Sequence, residues 1–203
     1  GNSVGAKKDS TIAIGDNASA TATGAVSIGS GTQATGNESL ALVSATASGE
    51  KSIAIGSEAN ATEANAIALG TGSRAAGKNS MAFGAGSLAN KDNSFALGAG
   101  AIANGTGAGA IGYLANAQGV NALAIGVQAC ALADNSLALG TQAVASGVDS
   151  LAIGSTSSAT KTNALAMGTN ASASGISSIA FGTNSSAAGN NSLAVGSQST
   201  ATG

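Results

Sequence analysis

The 203-residue chain contains no proline, histidine or tryptophan, one cysteine and one tyrosine. Charged residues make up 8% of it, against about a quarter in an ordinary globular domain. Each scarcity excludes something. Without histidine the commonest acid–base group and metal ligand is missing. The lone Cys130 can form no internal disulfide, and no cysteine pair exists to hold a metal. Seven basic and nine acidic residues leave no electrostatic footprint for nucleic acid. Every apolar run is broken by Gly, Ser, Asn or Thr well short of the roughly 18 residues that a membrane-spanning helix needs. Glycine is abundant, with 31 residues, but it does not fall at every third position as collagen requires. Scarce charge, with 43% hydrophobic residues, also excludes a charged disordered tail.

What is present is a repeat. The string apolar-Ala-apolar-Gly occurs at Ile12–Gly15, Ile53–Gly56, Ile67–Gly70, Met81–Gly84, Phe95–Gly98, Leu123–Gly126, Leu137–Gly140, Leu151–Gly154, Leu165–Gly168, Ile179–Gly182 and Leu193–Gly196. From Gly56 to Gly196 the final glycines advance in ten steps of 14. Three cognate segments depart from the string: Val26–Gly29, Leu40–Val43 and Gly109–Gly112. One residue is missing between Val43 and Gly56, and Gly109 stands where a large side chain is expected, which predicts a loosened coil.

With that glycine numbered slot 0, slot 5 is Ala in every coil, from Ala6 to Ala201. Slot 3 is mostly Ala or Ser, slot 9 often Asn, and slots 11 and 13 are large and apolar. Spacings of two residues within 3/5 and 11/13 predict strands, and the Gly, Asn, Asp and Ser between them predict tight turns. Fourteen residues cannot bury a core alone, so strands must pair with their equivalents in neighbouring coils, giving a parallel β-solenoid with two sheets. The large side chains at 11 and 13 are expected to face the small ones at 3 and 5 across a narrow lumen. Slot 12 would then point outward as a smooth alanine strip made of Ala54, Ala68, Ala82, Ala96, Ala124, Ala138, Ala152, Ala166, Ala180 and Ala194. Two large side chains per fourteen ordered residues is a thin return on backbone entropy. Self-association along that strip is therefore expected.

Asn79-Ser80-Met81-Ala82-Phe83-Gly84, Asn93-Ser94-Phe95-Ala96-Leu97-Gly98, Asn135-Ser136-Leu137-Ala138-Leu139-Gly140 and Asn191-Ser192-Leu193-Ala194-Val195-Gly196 resemble the YadA-like head repeats of trimeric autotransporter adhesins. The resemblance covers the whole chain. It implies an all-β, left-handed parallel β-roll of about 14 coils, forming a single head domain over residues 1–203 and a side-by-side homotrimer. Left-handedness would be an exception to the usual right-handed crossover. The resemblance further implies an extracellular head, anchored by other segments to a bacterial outer membrane. Its partners would be host matrix proteins (collagen, fibronectin or laminin) or a cell-surface receptor. Since the chain starts and stops inside repeats, it reads as a segment of a longer protein.

Surface chemistry is sparse. Asp16, Glu38, Glu58, Glu63, Asp92, Asp134 and Asp149 are scattered over separate turns with no paired spacing, so no catalytic residues, cofactor or metal are assigned and no enzyme is expected. Gly-rich strings such as Gly98-Ala99-Gly100 are turns with no following helix to receive a phosphate. Threonines at slot 6 (Thr21, Thr35, Thr62, Thr160, Thr202) are too discontinuous for an ice-binding array, though that remains an alternative, as does a purely structural spacer. Lys78 and Lys91 read as solvated turn charges. The middle coils carry outward apolar residues: Leu88, Ile102 and Val144 at slot 4, Tyr113 and Val127 at slot 1, Leu114 at slot 2 and Leu132 at slot 6. Stacking is expected to merge them into one ligand-binding patch with Tyr113 as its anchor, or to pack them on a neighbouring protomer.

Overall fold

A computed structural model describes residues 5–203 of the chain. It is built of strands of two and three residues joined by turns, and it groups into two compact units, one ending at Gly100 and the other spanning Ala101–Gly203. Each unit is a parallel β-solenoid. In the first, Ile67, Ala68 and Leu69 pair with Met81, Ala82 and Phe83, while Arg74 and Ala75 pair with Leu88 and Ala89. In the second, Leu123, Ala124 and Ile125 pair with Leu137, Ala138 and Leu139, while Asn116 and Ala117 pair with Cys130 and Ala131. Three-residue strands thus form one sheet and two-residue strands the other. The offset between partners is one repeat, so each slot becomes a ladder of equivalent side chains.

The turns require left-handed backbone at three slots per coil. At slot 0, Gly126 has φ of +133°, which side chains rarely adopt. A Cβ there would also lie 2.5 Å from the carbonyl oxygen of Gly140 in the next coil. Slots 2 and 9 sit near φ of +55° to +60°, as at Asn170 and Asn79, where asparagine and glycine are the tolerant residues. In the shortened coil, consecutive left-handed residues, Val43 and Ser44, make the turn with one residue fewer. Gln33 and Ala34 then pair with Thr46 and Ala47, so register survives the deletion.

The lumen is lined differently from the sequence expectation. Slots 3, 5, 10 and 12 are buried, and the interior consists almost wholly of Ala and Ser with a single Thr. Ala54, Ala68, Ala82, Ala96, Ala124, Ala138, Ala152, Ala166 and Ala180 have no exposed surface and Ala194 is 2% exposed. These ten alanines therefore cannot form an outward association strip. Slots 11 and 13 face out: Ile14 is 57% exposed and Leu193 61%. The reason is volume. Short turns hold the two sheets too close together for a Leu or Ile between them, so the smallest side chains go inside and the largest go out.

Some serine hydroxyls in this narrow interior are satisfied locally, but the buried Oγ atoms of Ser39, Ser52, Ser150 and Ser192, all at slot 10, have no hydrogen-bond partner. Ser73 Oγ donates to the carbonyl of Gly70 at 2.8 Å and Ser80 Oγ to that of Gly77 at 2.6 Å. Serine can therefore replace alanine at slot 3, and at those slot-10 positions where this bond forms, without needing a distant partner. Ser27, the lone non-alanine at a described slot 12 within the strands, donates across the lumen to Thr32 Oγ1 at 2.7 Å. Thr32 in turn donates to the carbonyl of Gly29 at 2.8 Å. Gly109, expected to loosen its coil, sits at an outward slot and leaves no hole inside. Its strand Gly109–Ile111 pairs in register with Leu123–Ile125.

Candidate functional site: the outer faces and turn edges

Each coil offers four outer surfaces. The outer face of the three-residue sheet carries slots 11 and 13, and that of the two-residue sheet carries slot 4. A first turn edge carries slots 0 to 2 and a second carries slots 6 to 9. The first of these surfaces is an apolar ladder in both units, with Ile12, Ile14, Met81 and Leu97 exposed in one and Leu139, Ile179, Phe181 and Val195 in the other. No single chain covers it.

The residues expected to form one ligand patch are distributed over three surfaces. Tyr113, Leu114 and Val127 are exposed on the first turn edge, and Leu132 is exposed on the second. Leu88, Ile102 and Val144 lie half-buried on the outer face of the two-residue sheet. The slot assignment was sound but the merging was not, because turns place slots 1 and 6 on opposite edges of the coil. Sequence reasoning also missed Val120, Val148 and Ile176, exposed at slot 8 of the second edge. The signal was available, since slot 8 elsewhere is mostly Thr, Lys, Asp, Asn or Ala.

Polar ladders run along both edges. On the second, Asn65 donates to Asn79 at 3.1 Å, and Asn135 donates to Asp149 at 3.0 Å. The backbone amides of Lys78 and Val120 donate to Oδ1 of Asp92 and Asp134, at 2.9 and 2.8 Å. On the first, Gln142 donates to Gln128 and Asn170 to Asn184, both at 3.1 Å. These carboxylates and amides thus serve the stacking of coils. Among the described residues, no group of three or more His, Cys, Asp or Glu side chains could hold a metal ion. Cys130 is a half-buried free thiol whose Sγ–H points to the Gln128 carbonyl at 3.6 Å. Burial pushes its pKa up, which disfavours the reactive thiolate.

Comparison with known proteins decides what these surfaces belong to. The YadA head domain repeat matches residues 6–32, 20–42, 47–73, 75–101, 103–129, 131–157, 159–185, 173–199 and 187–203. The chain belongs to the YadA head repeat family. Residues 43–46, which fall between matches, contain the shortened turn. YadA-like heads are non-enzymatic adhesin modules exposed on bacterial cells. Among solved structures, the collagen-binding domain of the Yersinia adhesin YadA is similar, with 32% sequence identity and a TM-score of 0.44. That match covers 61% of this chain and 62% of the Yersinia domain, so less than two thirds of the relative's length is spanned. No curated protein matches the sequence.

Proposed function

We propose that this YadA-type head is a rigid, left-handed, trimeric segment of an outer-membrane-anchored adhesin, and that it attaches bacteria to fibrous host matrix proteins, collagen foremost. The observation that carries the reading is the in-register repetition of every surface slot. A surface that repeats coil by coil suits a partner that repeats as well, and many weak contacts on three equal chains raise avidity without a deep pocket. The apolar ladder at slots 11 and 13 supports the assembly. Exposed side chains such as Ile14, Leu139 and Phe181 need cover, and three copies turning this face toward a common axis would supply it.

Sedimentation equilibrium of the purified chain tests the assembly: three times 18.6 kDa is expected, and a stable monomer overturns it. Titration onto immobilised collagen, fibronectin and laminin tests the adhesive role. Saturable binding to at least one, lost in the monomeric double variant Ile67→Asn/Ile125→Asn, is expected. Trimeric protein that binds none of them, nor any receptor on host cells, reduces the segment to a spacer.

A further inference from the structure

Tyr113, Leu114 and Val127 are exposed on the first turn edge, and Val120, Leu132 and Val148 on the second. All six belong to three consecutive coils of the second unit, between Gly112 and Ile153. Elsewhere the first edge carries Ser, Thr, Asn, Gln, Asp, Glu, Ala or Gly at slots 1 and 2. Leu114 is doubly out of place, because it holds φ of +54° at a slot where Asn or Gly would relax the backbone. A strained leucine that stays 41% exposed leaves much of its apolar surface uncovered within its own chain.

We infer that these two apolar edges are halves of one contact, the first edge of one chain clasping the second edge of a neighbouring copy. The inference rests on the trimer reading above and deepens it. In a cyclic assembly whose apolar sheet face is turned to the axis, the two turn edges lie at the sides. Rotation about an axis along the roll brings the first edge of each chain to the second edge of the next at nearly the same height. The coils opening at Gly112 and Gly126 carry exposed apolar residues on both edges and meet that condition, whereas Val43 on the first edge and Val148 and Ile176 on the second have no apolar counterpart in their own coils. Tyr113 is the aromatic anchor of the contact, and Asp134 and Asn121 form a polar margin beside Val120. Ile176, exposed on the second edge farther along, faces a first edge of Thr169-Asn170 and Thr183-Asn184. It serves as an internal control.

The test is a double-mutant cycle on the whole chain, reading trimer dissociation by dilution and the midpoint of thermal unfolding. Leu114→Asn removes backbone strain, so a residue with only an intrachain role would leave the midpoint unchanged or raise it. The clasp instead requires a lower midpoint and dissociation strengthened about tenfold or more. Val120→Asn should do the same, and the double variant should fall well short of the sum of the two single effects. Ile176→Asn should change neither readout. Additive effects, or an unaltered trimer in Leu114→Asn, overturn the clasp while leaving the trimer intact. A monomeric wild-type chain overturns both this contact and the assembly it rests on, which separates the two failures.

Discussion

The second turn edge differs sharply between the two units although the coil beneath it is the same. In the first unit it carries Glu50, Lys51, Glu63, Lys78, Lys91 and Asp92, with Glu50 and Lys51 as an exposed ion pair at 3.6 Å. In the second, exposed Val120, Leu132, Val148 and Ile176 dominate, and charge is reduced to Asp134, Asp149 and Lys161. Beneath both edges lies the same alanine and serine lumen. Interior slots are constrained by the volume between two close sheets, whereas edge slots need only suit a turn. Divergence between the two units therefore collects on the edges.

The strongest way to break the comparison is to attack the shared interior. Ala61→Leu in the first unit and Ala117→Leu in the second both force a large side chain between sheets that leave no space, costing about 3 kcal/mol or more. Circular dichroism melting should show loss of cooperative unfolding in both, and tolerance in one alone would mean the lumens differ. Next comes the slot-0 glycine. Gly56→Ala and Gly126→Ala place a Cβ 2.8 and 2.5 Å from backbone of the next coil, at φ of +124° and +133°. Each should lower stability by about 1–3 kcal/mol, read as a fall in the denaturation midpoint.

Smaller effects sharpen the contrast. Asn79→Ala and Asn135→Ala each remove a ladder amide and a residue suited to left-handed backbone, so about 1 kcal/mol should be lost in either unit by urea titration. Exchanging edge character should separate the units: Lys91→Val leaves stability within about 0.5 kcal/mol, whereas Val120→Lys lowers the unfolding midpoint of the assembly. Only the second should weaken self-association, as measured by sedimentation. Smallest is the Cys130 thiol, whose raised pKa keeps more of it protonated at a given pH than a free thiol. Its alkylation should accordingly be slower than that of a cysteine peptide across mildly alkaline pH and approach it only after unfolding.

Much of the fold was legible in the sequence. The period, the parallel in-register pairing and the turn slots follow from unbroken glycine spacing and from Asn at slot 9. The realignment after Val43 was legible too, because Ala47 keeps its slot. Slots 3 and 5 were rightly read as interior, but slots 11 to 13 were read the wrong way round. Alternation says that Ile67 and Leu69 share a face opposite Ala68, but not which face is enclosed. A discriminating signal lay in tolerance: slot 11 admits Ile, Val, Leu, Met, Phe and even Gly109, whereas slot 5 admits only Ala. A confined slot cannot vary that much in size. The proposed patch failed for a related reason, since slots 1 and 6 are near in sequence but lie on opposite edges once the coil closes.

By itself, then, the sequence determined the repeat, the ladders it makes and the family to which the chain belongs, because those depend on spacing alone. Only the tertiary structure decided that the lumen is alanine and serine, that Ile, Leu and Phe stand outside it, and that the middle apolar residues divide between two edges. Those outcomes depend on the distance between two sheets and on where the turns carry the chain, and neither quantity is expressed by any local pattern of residues.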